Sequence, residues 1–286
     1  MILVRTIVEL RSAIAGARGR GSPVSLVPTM GAFHEGHVSL MRRASEEGGL
    51  SVVSLFVNPA QFNDPSDLER YPRDEARDAR LAEDAGADIL FAPPVSQVYP
   101  PGFSSSVEVR GVSAPLEGAV RGVEHFRGVA TVVTKLFNMV QPDVAFFGQK
   151  DAQQALLIRR LVRDLDMPVR VEVCPTVREG DGLAMSSRNV LLAPGDRERA
   201  PALYRALTAV ERAVAGGVHH PDEALAAGTR VLTEAGIVPE YFAAVSTDTL
   251  APVRRITGET LIAIAARFGA VRLIDNVLVR PAERRG

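Results

Sequence analysis

The stretch VSLVPTMGAFHEGHVSLM (residues 24–41) decides the fold class of this chain. Its first five residues form a short apolar run typical of a buried strand, and Val38, Met41 and Ala44 then recur at helical spacing. A strand followed directly by a helix, with Gly31 in the turn between them, is the beginning of a βαβ unit. The stretch therefore predicts an α/β protein with a parallel sheet.

The same alternation continues through the first two-thirds of the chain. Short apolar runs bounded by Gly, Pro, Asp or Asn predict strands, and the amphipathic segments between them predict helices. We expect strands at residues 51–57, 88–92, 143–147 and 169–174, and helices near 37–47, 74–85, 127–140 and 151–165. Strands separated by helices imply a doubly wound parallel sheet. Residues 16–22 are expected to form only a flexible turn.

The pattern changes after about residue 176. Helical segments around 196–215 and 221–235 are followed by strand candidates at 241–246, 261–265 and 272–279. We therefore predict a first domain over residues 1–176 and a smaller α+β domain over residues 177–286.

Composition limits the classes of function. The 286 residues have a net charge of -1, which gives no general attraction to nucleic acid or to an anionic membrane. Any anion-binding site must therefore be local. The single cysteine, Cys174, excludes an intrachain disulfide and favours a reducing compartment. No apolar run approaches the roughly 18 residues of a membrane span, so the chain is expected to be soluble and cytoplasmic.

The turn PTMGAFHEGH (residues 28–37) contains the first candidate functional side chains. A helix N-terminus at the carboxyl end of a parallel strand offers unpaired N–H groups and a partial positive charge, which suit a phosphate. His34 and His37 are three residues apart and lie on one side of a first helical turn. They could bind zinc, although no Cys or Glu cluster at ligand spacing accompanies them. They could also cap the helix, or donate hydrogen bonds to a phosphoryl group under attack.

Two further segments have an anion-binding character. FFGQKDAQQ (146–154) follows a strand and contains Lys150, one of only two lysines among 33 basic residues. An ammonium on a flexible stem differs from a planar guanidinium, so a lysine retained in an arginine-rich chain suggests a phosphate contact. Lys150 could equally be a solvated turn residue, with Asp151 as a helix N-cap. GLAMSSRN (182–189) sets two hydroxyls beside an arginine, which suits an oxyanion but is also typical of a surface turn.

A set of segments in chain order resembles one known family. HEGH (34–37) is similar to the H-x-G-H signature of the nucleotidyltransferase superfamily, and MSSR (185–188) is similar to its mobile second signature. The whole set resembles the pantothenate synthetase (pantoate–β-alanine ligase) family, and comprises PTMGAFHEGH (28–37), FVNPAQF (56–62), YPRD (71–74), HFRGVATVVTKLFN (125–138), GQKDAQQ (148–154), DGLAMSSRN (181–189) and RLIDN (272–276).

The resemblance implies an architecture and a reaction. It implies a Rossmann-like first domain with the active site, a smaller lid domain, and a homodimer formed through the first domain. The implied reaction is the ATP-dependent condensation of (R)-pantoate with β-alanine to pantothenate, a precursor of coenzyme A. It proceeds through a pantoyl-adenylate, releases AMP and pyrophosphate, and uses Mg²⁺ carried on the ATP phosphates.

The resemblance also implies residue roles. The expected catalytic residues are His34, His37 and Lys150, with His37 as the acid. The expected ATP contacts are Met30, Gly31, Ala32, Phe33, His34, Glu35, Gly36, His37, Gly148, Gln149, Lys150, Asp151, Val177, Met185, Ser186, Ser187 and Arg188. The expected contacts to pantoate and β-alanine are Asn58, Gln61, Tyr71 and Gln154. No protein ligand to a metal is expected, and the resemblance leaves open the roles of Asp78, Arg121, Arg127 and Arg178.

The chain departs from the family's usual residues at Gln149 and Ala152, where Glu and an aromatic residue are more common. Neither departure is expected to affect the chemistry. Two other interpretations stay open at this point. One is a nucleotidyltransferase that keeps the nucleotide on its product, and the other is a non-catalytic nucleotide-binding protein on the same fold.

Overall fold

The structure is a computed structural model that describes residues 1–282. The chain divides into two compact units. The first comprises Met1–Gly148 and Gln153–Pro175, and the second comprises Gln149–Ala152 and the chain from Thr176 onward. The short segment Gln149–Ala152 thus belongs to the second unit, although it directly follows a strand of the first.

The first unit is built on a six-stranded sheet in which every neighbouring pair of strands is parallel. Val24, Leu26 and Val27 are 0% exposed, as expected for a parallel sheet covered on both faces. The predicted doubly wound α/β sheet is therefore confirmed. The strands are β1 (Ile2–Val4), β2 (Val24–Thr29), β3 (Leu50–Leu55), β4 (Ile89–Phe91), β5 (Val144–Gly148) and β6 (Arg170–Cys174), in the spatial order β1-β4-β3-β2-β5-β6.

Helices connect these strands. They are α1 (Ile7–Gly19), α2 (Glu35–Glu46), α3 (Pro65–Arg70), α4 (Glu75–Asp84), α5 (Val95–Val98), α6 (Glu117–Arg121), α7 (Val123–Val140) and α8 (Ala152–Asp164). The predicted apolar face of α7 is buried, with Val129, Val132 and Leu136 each at most 6% exposed. The flexible turn predicted at residues 16–22 is wrong in its first part, because α1 continues to Gly19.

The order of the strands reverses beside β2. This strand pairs with β3 on one side, where Val24 lies opposite Leu50, and with β5 on the other, where Ser25 lies opposite Val144. Open α/β sheets bind ligands outside the carboxyl ends of their strands at such a switch point. The turn that contains the two candidate histidines leaves β2 at this point.

The second unit combines helices with a three-stranded antiparallel sheet. Its strands are β7 (Pro239–Ser246), β8 (Thr260–Phe268) and β9 (Val271–Val279), and its helices are α9 (Pro194–Arg199), α10 (Ala202–Ala215) and α11 (Pro221–Glu234). The apolar face of α10 lies in the core of this unit, with Leu203, Leu207 and Val210 at most 1% exposed. The smaller α+β architecture predicted after residue 176 is therefore present.

Candidate active site

A buried carboxylate holds the turn that follows β2. Asp78 of α4 is 1% exposed and accepts hydrogen bonds from the N–H groups of Ala32 and Phe33, both at 2.8 Å. The backbone passes through the left-handed region here, with φ of 92° at Gly31 and 53° at Ala32. Hydrogen bonds to an ionised acceptor are stronger than those between neutral groups. Asp78 therefore fixes the backbone immediately before the two histidines.

Replacing Gly31 with alanine is expected to disturb this turn. A Cβ at Gly31 would lie 2.7 Å from Leu55 Cδ1 and 3.0 Å from Asp78 Oδ2, and the φ is unfavourable for an L-residue. We expect kcat/KM to fall about tenfold or more because the histidines are displaced. The strained backbone should also cost about 1–2 kcal/mol of stability, measured by urea unfolding.

Gly48→Ala is the matched control for this prediction. Gly48 has a φ of 81°, yet a Cβ there meets nothing within 4 Å. This variant should share the backbone strain and keep its activity. Equal losses of kcat/KM in the two variants would contradict the role assigned to the Gly31 turn.

His34 and His37 cap the start of α2 and contact each other. His34 Nδ1 accepts the Gly36 N–H at 3.1 Å, His37 Nδ1 accepts the His34 N–H at 3.4 Å, and the ring centroids are 4.2 Å apart. A ring nitrogen that accepts an N–H has no proton in the neutral imidazole, so the proton lies on Nε2 of each ring. Helix capping, one of the alternatives from the sequence, is thus observed. The capping contacts of both rings are made through Nδ1.

A line of hydrogen bonds supports Gln61, one of the predicted substrate contacts. Gln61 Nε2 lies 2.9 Å from Met30 Sδ, and Asn58 Nδ2 donates to Gln61 Oε1 at 3.0 Å. Tyr99 in turn donates its hydroxyl to Asn58 Oδ1 at 2.8 Å. Burial raises the pKa of Tyr99 to about 12, so the hydroxyl keeps its proton and stays a donor. Asn58 is only 1% exposed, and in this conformation it supports the half-buried Gln61.

The adjacent residues Gln153 and Gln154 have different environments. Gln153 is 5% exposed, accepts the Glu117 N–H at 3.0 Å, and donates to the carbonyls of Val112 and Pro115 at 2.9 and 2.8 Å. Gln154 is half-buried, and its side chain makes no hydrogen bond to any residue that the structure describes. Gln153 is therefore structural, whereas the amide of Gln154 remains a candidate for ligand binding, as predicted. Tyr71, the fourth predicted substrate contact, is half-buried.

This difference predicts opposite effects of the two alanine variants. Gln154→Ala should change stability by no more than about 0.5 kcal/mol, because no internal hydrogen bond is lost. Its kcat/KM for pantoate should fall about tenfold or more, as expected for a lost hydrogen bond to a charged substrate.

Gln153→Ala serves as the matched comparison. It leaves buried backbone groups without partners and should cost about 1–3 kcal/mol of stability. Thermal unfolding and initial rates at varied pantoate concentration separate the two effects. A Gln154→Ala variant with an unchanged kcat/KM for pantoate would exclude this residue from the substrate site.

In the second unit, Lys150 lies in the short 3₁₀ turn Gln149–Asp151, which follows the end of β5 at Gly148. Asn276 of β9 donates from Nδ2 to the carbonyls of Gln149 and Lys150 at 3.0 and 2.9 Å, and Gln149 Nε2 donates to Asn276 Oδ1 at 2.8 Å. The Lys150 ammonium forms no ion pair with any described carboxylate. Lys150 thus combines a fixed backbone with a cation that forms no ion pair among the described residues, although its charge helps to lower the pKa of the nearby Asp275.

Residues 177–185 form a narrow hairpin-like loop in the second unit. The Met185 N–H donates to the Val177 carbonyl at 2.9 Å, and the Glu179 N–H donates to the Leu183 carbonyl at 2.8 Å. The Val177 carbonyl, which belongs to a predicted ATP contact, therefore already accepts one hydrogen bond. Its second lone pair is still able to accept another.

The predicted oxyanion-binding loop follows this hairpin. Ser186 and Ser187 are half-buried, and Arg188 is exposed. The Arg188 N–H donates to Ser186 Oγ at 3.2 Å, a local turn that keeps the two residues together. Two hydroxyls and a guanidinium within four residues suit a phosphate chemically.

The three arginines with open roles each form an ion pair. Their nitrogens lie 3.0 Å, 2.7 Å and 2.6 Å from carboxylate oxygens, in the pairs Arg121–Glu117, Arg127–Glu124 and Arg178–Asp275 respectively. Arg178 also lies over the Tyr204 ring, 3.7 Å from its centroid. Burial raises the pKa of Asp275, although Arg178 and the Asn276 N–H oppose the rise. The buried pair with Asp275 favours a structural role for Arg178, whereas the partly exposed pairs of Arg121 and Arg127 contribute little to stability.

The described residues 1–282 contain no group of three or more His, Cys, Asp or Glu side chains that could hold a metal ion. Asp78, the acidic residue with an open role, uses each carboxylate oxygen for one backbone N–H. Carboxylate oxygens suit Mg²⁺, which is often bound by one or two carboxylates together with substrate phosphates. Both oxygens of Asp78 are thus already used within the protein.

The supporting roles of three residues were not predicted from the sequence, although Asp78 was named there as a residue with an open role. Asp78 lies in the first turn of α4 without a distinctive local motif, and Tyr99 likewise lies in no motif. Asn276 belongs to the RLIDN segment (272–276). This segment is far from Lys150 in the sequence, so the contact of Asn276 with the Lys150 turn could not be predicted. A signal was present only for Asn276, because its segment matched the family.

Comparisons with known proteins identify the family of this chain. The family model described as pantoate-beta-alanine ligase matches residues 2–278. The pantothenate synthetase of Cereibacter sphaeroides is 50% identical over 277 residues, which cover 97% of this chain and 99% of the relative. That of Roseiflexus castenholzii is 50% identical over 281 residues, covering 98% of this chain and 99% of the relative.

Solved structures give the same result. The crystal structure of pantothenate synthetase from Thermus thermophilus has a TM-score of 0.92 and 48% identity, and the match covers 98% of this chain and 100% of that chain. A pantoate-beta-alanine ligase from Francisella tularensis, complexed with beta-gamma ATP and beta-alanine, has a TM-score of 0.79 and 34% identity, and the match covers 97% of each chain. The chain therefore belongs to the pantoate–β-alanine ligase family.

Proposed function

We propose that this ligase condenses (R)-pantoate with β-alanine to pantothenate, a precursor of coenzyme A, through a pantoyl-adenylate. Family membership across residues 2–278 supports the overall reaction. The observation that supports the chemistry at the level of residues is the His34–His37 pair at the start of α2. Backbone N–H groups occupy Nδ1 of both rings, which leaves the proton of each neutral imidazole on Nε2.

The first step joins two anions. A carboxylate oxygen of pantoate attacks the α-phosphorus of ATP, the bond from that phosphorus to the bridging oxygen breaks, and pyrophosphate leaves. Two unit charges 4 Å apart repel by about 4 kcal/mol at an effective dielectric constant near 20. Lys150, Arg188 and the N-terminus of α2 are proposed to offset this repulsion. His37 is proposed to donate from Nε2 to the phosphoryl oxygens as charge develops on them.

The second step forms the amide. The neutral amine of β-alanine attacks the adenylate carbonyl, the bond from that carbon to the AMP oxygen breaks, and the amine loses a proton. Gln61 is proposed to contact both pantoate and the incoming amine. Its side chain is already oriented by Asn58 Nδ2 at 3.0 Å, and this fixed geometry supports the assignment.

Mg²⁺ is proposed to arrive on the ATP phosphates, where it would neutralise part of their charge. Asp78 is proposed to support the turn and not to bind the metal, because its carboxylate is 1% exposed and each of its oxygens accepts a backbone N–H group. The protein's own contribution at this point is to keep the turn before His34 rigid.

We also propose a cytoplasmic homodimer formed through the first unit. The family resemblance supports the dimer, and the single cysteine, Cys174, fits a reducing compartment. Of the helices in residues 1–282, none is both long and apolar enough to cross a membrane. Light scattering of the purified protein would test the dimer through its mass.

An AMP-release assay with each substrate omitted in turn tests the proposed function. We expect AMP and pantothenate in equal amounts only when ATP, pantoate and β-alanine are all present. A stable nucleotide-containing product would instead indicate a nucleotidyltransferase that keeps the nucleotide on its product. Bound but unconsumed ATP in the complete mixture would indicate a non-catalytic nucleotide-binding protein.

A further inference from the structure

Both the nitrogen and the oxygen of the Asn276 side-chain amide form hydrogen bonds with the turn that contains Lys150. It is 4% exposed, and its Nδ2 donates to the Gln149 and Lys150 carbonyls at 3.0 and 2.9 Å. Its Oδ1 accepts from Gln149 Nε2 at 2.8 Å. The two carbonyl acceptors determine the orientation of the amide, because only the NH₂ group can donate to them. Two hydrogen bonds from one buried side chain therefore fix the backbone of the turn at Gln149 and Lys150, and a third binds the Gln149 side chain.

The strand that contains Asn276 is itself firmly held. β9 pairs with β8 along its full length, from Val271 opposite Phe268 to Val279 opposite Thr260. Asn276 lies in the middle of this ladder, opposite Ala263. A turn attached to such a position is anchored to a regular sheet and not to another loop.

Asp275, the residue before Asn276, supports the second predicted anion-binding segment through Arg178. Asp275 is 4% exposed and binds Arg178 through two hydrogen bonds of 2.6 and 3.0 Å. Arg178 in turn donates to the Gly182 carbonyl at 3.1 Å and lies over the Tyr204 ring. Arg178 and Gly182 belong to the hairpin that leads into residues 185–188. Two adjacent side chains of β9 thus hold both segments of the second unit that were assigned to phosphate.

We propose that Asp275 and Asn276 are positioning residues for adenylate formation. Asn276 fixes the backbone from which Lys150 extends, and Asp275, through Arg178, fixes the hairpin before Ser186, Ser187 and Arg188. A lysine ammonium is attached through a flexible four-carbon stem. It reaches a defined position only if the backbone from which the stem extends is fixed. This inference rests on the proposed role of Lys150 at the ATP phosphates.

A purely structural role for Asn276 predicts a different outcome. Loss of stability alone would lower both half-reactions together, whereas a positioning role acts on the step that uses ATP. The two half-reactions are measured separately, as pantoate-dependent exchange of pyrophosphate into ATP and as pantothenate formation from supplied pantoyl-adenylate and β-alanine. All rates are taken well below the unfolding midpoint of each variant.

Asn276→Asp is the main variant, because a carboxylate of the same shape cannot donate to the two carbonyls. We expect exchange to fall about 10- to 100-fold and the KM for ATP to rise, with amide formation from supplied adenylate changed less than about threefold. Thr260→Val is the matched control. It removes a 3% exposed hydroxyl that donates to the Gly258 carbonyl at 3.1 Å on the neighbouring strand, and it should leave exchange unchanged.

A double-mutant cycle with Lys150→Ala distinguishes action through Lys150 from a general defect. If Asn276 acts through Lys150, adding Asn276→Asp to Lys150→Ala should cause less than about a threefold further loss of exchange. Multiplicative losses would overturn the inference, as would exchange by Asn276→Asp equal to that of Thr260→Val. Should Asn276→Asp not fold, Asn276→Ser retains one donor and enters the same cycle, with a smaller expected loss and the same two overturning results.

The same cycle separates this inference from the proposed function. If Lys150→Ala alone leaves exchange intact, the proposed role of Lys150 is wrong and the positioning inference is overturned with it. If Lys150→Ala abolishes exchange while Asn276→Asp has no effect on it, the proposed function stands and only the positioning inference is overturned.

Discussion

His37→Ala should lower turnover by about 10²–10³-fold, equivalent to about 3–4 kcal/mol, because a preorganised donor to the transition state is lost. The loss should appear in kcat with little change in the KM for ATP, since the donor acts mainly as charge develops on the phosphoryl oxygens. Steady-state rates and single-turnover adenylate formation provide the measurement. The His37 Nδ1 also accepts the His34 N–H at 3.4 Å, so a small loss of stability is expected as well.

Two further variants isolate the donor role of His37. His37→Asn offers a side-chain oxygen to the His34 N–H while removing the imidazole, so it should recover stability but not turnover. His220→Ala removes an exposed histidine at the start of α11 and should leave the rate unchanged. Near-normal turnover by His37→Asn would show that capping, and not donation from Nε2, is what the enzyme requires of this residue.

Lys150→Ala should reduce pantoate-dependent exchange of pyrophosphate into ATP by about 10²–10³-fold, because the cation that offsets phosphate charge is removed. Its ammonium forms no ion pair with a carboxylate in residues 1–282, so removing it should not destabilise the fold. Thermal unfolding of the variant checks this point. Amide formation from supplied adenylate is the internal control and should remain within about threefold of the original rate.

Lys150→Arg and Lys150→Met separate charge from shape at this position. The Met variant keeps the apolar stem without the charge and should resemble Lys150→Ala. The Arg variant keeps the charge as a planar fork and should also perform poorly, since a guanidinium presents its charge and its donors differently from a compact ammonium. Full exchange activity in Lys150→Arg would mean that charge alone is sufficient.

Much of the fold could be predicted from local patterns. The runs that became β2 and β5 are apolar and short, and the five predicted strands of the first domain lie within about two residues of their observed positions. The secondary structure of the first 20 or so residues of the chain was more difficult to predict. β1 contains only Ile2–Val4, and α1 ends in a glycine- and arginine-rich sequence that is typical of a turn. Pairing of β1 with β4, 85 or more residues away, gives no local signal.

The candidate residues could be named from the sequence where they lie in contiguous motifs. His34, His37, Lys150 and the loop at 185–188 each belong to a recognisable segment. The supporting contacts were not predictable, because each joins residues distant in sequence. Asp78 reaches 46 residues back to the Ala32 N–H, and Asn276 reaches 126 residues back to the Lys150 carbonyl. Residues with reactive groups can be proposed from sequence motifs. The residues that orient them are identified only from the three-dimensional structure.

Transfer of oxygen from pantoate to AMP tests the central claim most directly. Pantoate labelled with ¹⁸O in its carboxylate is incubated with the enzyme, ATP and β-alanine, and the AMP is analysed by mass spectrometry. If the carboxylate attacks the α-phosphorus, each AMP formed should contain one ¹⁸O atom from pantoate. Unlabelled AMP, or label found instead in inorganic phosphate, would contradict an adenylate route and the roles assigned to His37 and Lys150.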